Sequence, residues 1–280
     1  MDTRREEVMD MNKKIVLFGA FGLALPVFVL APGRAGRRQR APFMGVNFAH
    51  HRGLHSRDMT VPENSLEAFR LAARAGYGIE LDVQLSKDGQ VVVFHDDTLE
   101  RVCGVDSRVD EKTYEELSAL RLCGTEHKIP LFSEALAVIR GRGPLIVELK
   151  NGSRNRELCE KTYALLENYR GEVCVESFNP LIVAWFRFHA RDIVRGQLAM
   201  PQKYYDGQPR PLAFIMSNTL MNFLARPQFI AYRIGKKPFP VRLSELMGAI
   251  KIAWTSHEPR NERRNDGVIF EFYKPRVKYR

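Results

Sequence analysis

A small set of side chains in this sequence combines the types and positions needed for chemistry on a phosphate ester. His50-His51-Arg52-Gly53 closes one apolar run, and Glu80 and Asp82 interrupt a second. His95 ends a third, and Glu148 with Lys150 ends the run Leu145–Lys150. Burying Glu148 between Val147 and Leu149 would cost several kcal/mol without a cation or a proton to offset it. Glu80, Asp82 and Glu148 are hard oxygen ligands of the kind that hold Mg²⁺ or Ca²⁺ rather than Zn²⁺. His51 and His95 are of the type that exchanges protons near neutral pH. Arg52 and Lys150 supply positive charge for a phosphate, and an arginine grips one bidentately. Singly, each has a plainer reading: a structural strand-end histidine, a Glu148–Lys150 ion pair, a solvated Glu80, a helix-capping Arg52. Together they suit a metal-assisted phosphoryl-ester site.

The elements that must position these groups follow from the hydrophobic pattern. Short β-rich runs occur at Val46–His50, Gly78–Leu85, Val91–His95, Leu145–Lys150, Val173–Ser177, Ile193–Leu198, Phe229–Arg233, Ile250–Thr255 and Gly267–Phe272. Amphipathic stretches such as Ser65–Ala75, Glu157–Tyr169 and Leu181–Ala190 lie between them, with Ser65 and Ser133 as candidate caps. This alternation predicts an α/β fold, a TIM (β/α)8 barrel. Nine strands are one too many. Only Ser86 to Gln90 separates Leu85 from Val91, too short for a parallel crossover, and Asp88-Gly89 is a turn signal. The third run is therefore predicted to fold back as a β-hairpin flap, which would bring His95 roughly opposite Asp82, about 5 Å away. In a parallel barrel the carboxyl ends of the strands build the site, and the candidate residues cluster there.

At this point the sequence resembles a known family, the glycerophosphodiester phosphodiesterases. The resemblance is carried by His51-Arg52-Gly53, Pro62-Glu63-Asn64-Ser65, Glu80-Leu81-Asp82-Val83-Gln84, Asp88-Gly89, Val93-Phe94-His95-Asp96 and Glu148-Leu149-Lys150, and continues through Ser177-Phe178-Asn179-Pro180 and Trp254-Thr255. It implies a barrel over 45–280 with a small insertion at about 96–132, and hydrolysis of glycerophosphodiesters to glycerol 3-phosphate and an alcohol. It further implies His51 and His95 as the acid/base pair and Glu80, Asp82 and Glu148 as ligands of a divalent metal, Mg²⁺ or Ca²⁺. Arg52, Lys150 and Trp254 would then contact substrate, and Glu63 and Asn64 would organise the loop at the mouth, with Glu63 near the metal. The second half departs from the family pattern: Ala199–Leu224 is unusually long and apolar, and Met216, Met221, Phe223 and Leu224 suit either packing or a lipid-facing rim. A lysolipid is accordingly the alternative substrate, cleaved as by a lysophospholipase D. An inactive membrane-bound scaffold is the alternative of another class.

Ile15–Ala31 carries no charge over 17 residues, about 26 Å of helix and close to the minimum that spans a bilayer. Its length, and Pro32 directly after Ala31, favour an uncleaved membrane anchor over a signal peptide, with a buried helix of a soluble protein as the third reading. The expected organisation is a tail over 1–14, the anchor over 15–31 and a basic linker over 32–44. Arg4, Arg5, Lys13 and Lys14 balance Arg34, Arg37, Arg38 and Arg40 across the anchor; a start at Met9 or Met11 would tip the count toward a cytoplasmic catalytic domain. The net charge of +10 suits anionic membranes or phosphate substrates, and no nucleic-acid reading motif accompanies it. Cys103, Cys123, Cys159 and Cys174 lack zinc spacing and are expected to be reduced packing residues. Nothing in the sequence sets an oligomeric state.

Overall fold

The computed structural model describes residues 24–49 and 52–275. Eight parallel strands form a closed barrel: β1 (Val46–Ala49), β2 (Gly78–Leu85), β4 (Leu145–Leu149), β5 (Val173–Ser177), β6 (Val194–Ala199), β7 (Phe229–Arg233), β8 (Ile250–Ser256) and β9 (Gly267–Phe270). Their neighbours run in that order, and β1 pairs with both β9 and β2 to close the ring. The ninth strand, β3 (Val91–Val93), pairs antiparallel with the upper part of β2, as the short Asp-Gly connection predicts. Gly89 sits in that turn at φ 77°, a conformation that favours glycine.

Strand alternation sorts the side chains into two layers. Ile79, Leu81 and Val83 of β2, with Val147 and Leu149 of β4, pack outward onto the helices Leu66–Ala75, Phe132–Ile139 and Pro180–His189. Phe48, Ile146, Cys174, Phe229, Ile250 and Ile252 fill the barrel's interior. Each fully buried side chain of this kind contributes about 1.5–3 kcal/mol, so the interior is a packed plug beneath the site. Ser65 caps its helix as expected, accepting from the Ala68 amide at 3.1 Å. Ser133 does not cap: its helix begins at Phe132, and Glu134 reaches back to the Leu131 amide at 2.8 Å. The insertion over 96–132 has a core of its own, in which Val92 and Phe94 of the flap pack against Leu99, Val102, Leu117 and Ile129. All four cysteines are free thiols.

The amino-terminal segment is organised otherwise than expected. Residues 15–23 of the predicted anchor lie outside the described residues. Residues 24–30 are helical and lie against the barrel: Leu30 is buried, and its carbonyl accepts from Ser244 Oγ at 2.8 Å and Asn222 Nδ2 at 3.3 Å. Arg226 Nη1 donates to the carbonyls of Phe28 and Ala31, each at 2.8 Å. Among the described residues no helix is long and apolar enough to cross a membrane. The stretch read as a basic linker, 32–44, is packed as the floor of the barrel. Gly33 donates to Pro227 O, Arg40 to Gly248 O and Gly45 to Asp266 O, carbonyls that precede β7, β8 and β9. Phe43 is buried and stacks on Phe48, ring centroids 6.5 Å apart. An aromatic side chain removed from water at this position holds the segment down against its own charge repulsion.

Candidate active site

The registers of β2, β4 and β5 set three carboxylates in one row: Asp82 is the Cα partner of Glu148, and Glu148 of Glu176. Neighbouring strands lie about 4.8 Å apart, so the register sets these carboxyl groups side by side. Glu80, two residues before Asp82 on the same face, joins them from below. Carboxylate oxygens of Glu80, Glu148 and Glu176 lie within 4.8 Å of one another. All four acids are at most 4% exposed. Glu176 was not among the residues singled out from sequence, although it interrupts the apolar run Val173–Phe178 as Glu148 interrupts its own strand. That interruption was the available signal.

Two cations reach this row. Lys150 Nζ lies 2.8 Å from Glu148 Oε1 and 3.4 Å from Asp82 Oδ1. Burial works against its charge, yet Glu148 and Asp82 hold the ammonium above its usual value. Arg52 donates its backbone N–H to Glu80 Oε2 at 2.6 Å, and its Nε stands 3.7 Å from Asp82 Oδ2. Asn64, in the left-handed region at φ 54°, donates Nδ2–H to Asp82 Oδ2 at 2.9 Å. Asparagine is a residue type that tolerates this conformation.

Burial, followed by repulsion from Asp82, Glu148 and Glu176, pushes the Glu80 carboxyl well above its ordinary range. Burial likewise raises Glu148 against the opposing pull of Lys150, and raises Glu176 strongly. Among the described residues, four carboxylates against two cations leave two formal negative charges uncompensated. Glu80 Oε1 and Glu176 Oε2 are buried without a hydrogen-bond partner. Orphaned anionic oxygens of this kind are costly unless a cation or proton meets them. A divalent metal bound by oxygen ligands fits this donor set in both charge and ligand chemistry.

His95 stands beside the row, on the flap. It is one residue out of the predicted pairing: Val83 pairs with Val93, and the Phe94 amide bonds the Asp82 carbonyl. Strand β3 stops at Val93 because Gln84 Nε2 takes the carbonyls of Phe94 and Asp96, each at 2.9 Å, and turns the chain. His95 Nδ1 is 2.6 Å from Asp96 Oδ1. Arg101, from the insertion, bridges Asp96 and Glu63, with Nη2 3.0 Å from Asp96 Oδ1 and 2.6 Å from Glu63 Oε1. Glu63 in turn accepts from Arg52 Nη1 at 2.7 Å. Glu63 thus lies in a hydrogen-bonded chain, His95–Asp96–Arg101–Glu63–Arg52, that ties the flap to the mouth loop. Burial opposes ionisation of Asp96, but hydrogen bonds from His95 and Arg101 hold its carboxyl well below the usual range. Neither Asp96 nor Arg101 was a sequence candidate: Asp96 bonds its neighbour His95 and Arg101 five residues on, but the link from Arg101 to Glu63, 38 positions away, exists only in the fold. His51 lies outside the described residues.

Trp254 follows Ile250 and Ile252 on the inner face of β8, and its indole N–H donates to Ala231 O at 2.9 Å. Its ring meets that of Phe178 edge-on at 5.6 Å. Beyond Phe178 opens a groove of about 600 Å³ lined by Asn151, Leu181, Tyr204, Leu212, Met216 and Met221 among others. Of the residues read as a possible lipid rim, Met216 and Met221 line this groove, whereas Phe223 packs near Phe28, ring centroids 6.5 Å apart.

Acids, bases and an imidazole gathered where the strands of a parallel barrel end are the arrangement of TIM-barrel enzymes that act on phosphate esters. A model of the Glycerophosphoryl diester phosphodiesterase family matches residues 51–272, and the chain belongs to that family. It is 36% identical over 148 residues to a glycerophosphodiester phosphodiesterase of Bacillus altitudinis, covering 49% of this chain and 59% of that protein. It is 30% identical over 149 residues to a human lysophospholipase D, covering 49% and 45%. The chain thus spans about half the length of these relatives. A phosphodiesterase of Oleispira antarctica, solved in complex with its product sn-glycerol-3-phosphate, superposes with a TM-score of 0.66 at 22% identity, covering 81% of this chain and 93% of that one. At that identity the likeness is one of fold.

Proposed function

We propose that the chain hydrolyses glycerophosphodiesters to sn-glycerol 3-phosphate and an alcohol, with a divalent metal held by Glu80, Asp82 and Glu148. The observation that carries this reading is the row of buried carboxylates flanked by Lys150 and Arg52 at the carboxyl mouth. Family membership, and likeness to a Bacillus protein named glycerophosphodiester phosphodiesterase, support it.

Each residue has a role that its surroundings favour. Lys150 and Arg52, already desolvated, offer charge to the phosphate oxygens, where electrostatic attraction is stronger than in water. His95, with Nδ1–H donated to Asp96, exchanges its catalytic proton through Nε2. His51 is its partner, one histidine deprotonating the nucleophile while the other protonates the leaving alkoxide. Glu63 and Asn64 hold Arg52 and Asp82 in place, and Trp254 walls the mouth. The metal, when bound, supplies positive charge that stabilises the developing anion.

The test is glycerol 3-phosphate release from glycerophosphocholine with Mg²⁺, with Ca²⁺ and with EDTA. Metal-dependent release is expected; release in EDTA at the full rate would overturn the metal assignment. One observation favours a second substrate class: the apolar groove beyond Phe178 suits an acyl chain, and the human relative bears the name lysophospholipase D. Faster turnover of a lysolipid than of glycerophosphocholine would establish it, whereas failure on both substrates with every metal would leave a silent scaffold. Residues 24–31 pack on the barrel, so membrane attachment, with the catalytic domain on the cytoplasmic side, would rest on the segment before them. Extraction of the full chain by carbonate without detergent would overturn the anchor.

A further inference from the structure

Glu176 is unlike the other acids of the site. Lys150 serves Glu148 and Asp82, and the Arg52 amide serves Glu80 Oε2. Glu176 lies on the far side of the row, on β5, 1% exposed, with Oε2 buried and without a hydrogen-bond partner. Its Cα partner on β6 is Gly196, which brings no side chain, so the row of acids ends there. The space above Gly196 is taken by the Phe229 ring, 2.0 Å from where a Cβ would stand. The β6 side therefore offers Glu176 no side-chain partner at this register, and one of its carboxylate oxygens lies in the cluster with oxygens of Glu80 and Glu148. The carboxylates of Glu80, Glu148 and Glu176 come within 4.8 Å of one another.

The number of acids bears on which ion the site takes. Mg²⁺ keeps several waters and is bound through one or two carboxylates in a tight octahedron. Ca²⁺ accepts six to eight oxygens in adaptable geometry, with bonds of about 2.3–2.6 Å. Two oxygens on one Ca²⁺ can therefore stand up to about 5 Å apart, so oxygens within 4.8 Å of one another fit around that ion.

We propose that Glu176 is a further carboxylate ligand of the metal centre and that it makes the centre select Ca²⁺ over Mg²⁺. This rests on the metal-dependent reading above. The test is calorimetric titration of the metal-free full chain with CaCl₂ and with MgCl₂, for wild type, Glu176→Gln and Glu176→Asp. Wild type is expected to bind Ca²⁺ at least tenfold more tightly than Mg²⁺. Glu176→Gln is expected to lose tenfold or more in Ca²⁺ affinity and threefold or less for Mg²⁺, with Glu176→Asp intermediate. Glutamine keeps the side-chain volume, and thermal melting in EDTA checks the fold; if Gln fails to fold, the Asp variant carries the comparison. A Ca²⁺ affinity in Glu176→Gln equal to wild type overturns this inference and leaves the proposed function standing. An equal loss for both ions overturns the selectivity. A wild-type chain that hydrolyses substrate yet binds neither ion overturns both this inference and the metal reading.

Discussion

Glu148 and Glu176 are Cα partners on neighbouring parallel strands, both buried, yet the Lys150 ammonium bonds only the first while Glu176 Oε2 has no hydrogen-bond partner. Two acids held side by side and compensated so unequally make the site sensitive to protons and to cations.

Glu80, Glu148 and Glu176 are all raised, by burial first. Each therefore holds its proton more tightly folded than unfolded, so the native state binds more protons and stability falls as pH rises above the unfolded carboxyl value near 4. Metal-free protein should melt at a higher temperature at pH 5 than at pH 8. A divalent ion competes with those protons, so its addition should raise the melting temperature more at pH 8. Melting curves in EDTA and in Ca²⁺ at both pH values check this; an ion effect independent of pH would contradict it.

Lys150→Met removes the ammonium from Glu148 and Asp82 and leaves their charges facing one another. Breaking a buried pair costs about 3–5 kcal/mol, or roughly 6–20 °C for a domain of this size. The drop should be largest in EDTA and partly recovered on adding metal. A melting temperature within 2 °C of wild type in EDTA would show that Lys150 carries little of this compensation.

His95→Ala should lower turnover by about 10²–10⁴-fold, the range for a lost general acid or base. The side chain is part-exposed at the flap's end, so melting should be unchanged. Activity retained within a few fold would remove His95 from the proposed pair.

Asp96 acts on the reaction through His95. As a carboxylate it keeps the proton on Nδ1; asparagine at this position also stabilises the opposite tautomer. Asp96→Asn should cut kcat by up to about 10⁴-fold with KM little moved. Arg101→Lys, which keeps the charge and loses the fork between Asp96 and Glu63, should show a smaller loss of the same kind. Steady-state kinetics separating kcat from KM distinguish this from a loss of substrate binding.

Leu212 lines the apolar groove and is 43% exposed, so a charge there disturbs folding little. Leu212→Asp should slow lysolipid turnover about tenfold and leave glycerophosphocholine turnover unchanged. Equal effects on both substrates would argue against an acyl chain in the groove.

Periodicity and composition sufficed for much of this architecture. The runs starting at Gly78, Leu145, Val173 and Phe229 form strands where the hydrophobic pattern puts them, because a barrel strand buried on both faces must be apolar throughout. The same rule exposes Glu80, Asp82 and Glu148 as exceptions, and the five-residue connection containing Asp88-Gly89 admits only a hairpin. Tertiary structure decided the rest. It ended β3 at Val93, setting Phe94 and not His95 opposite Asp82, because Gln84 takes two carbonyls across the hairpin. It folded 33–45 under the barrel, since the floor needs Phe43 in contact with Phe48 and the carbonyls before β7, β8 and β9 need donors. It added Glu176 to the acids and Arg101 to the chain between His95 and Arg52. Local sequence says which face of a strand a side chain occupies; only barrel closure and register decide which other charge it must face, and that partner determines whether a buried acid is a structural burden or a ligand.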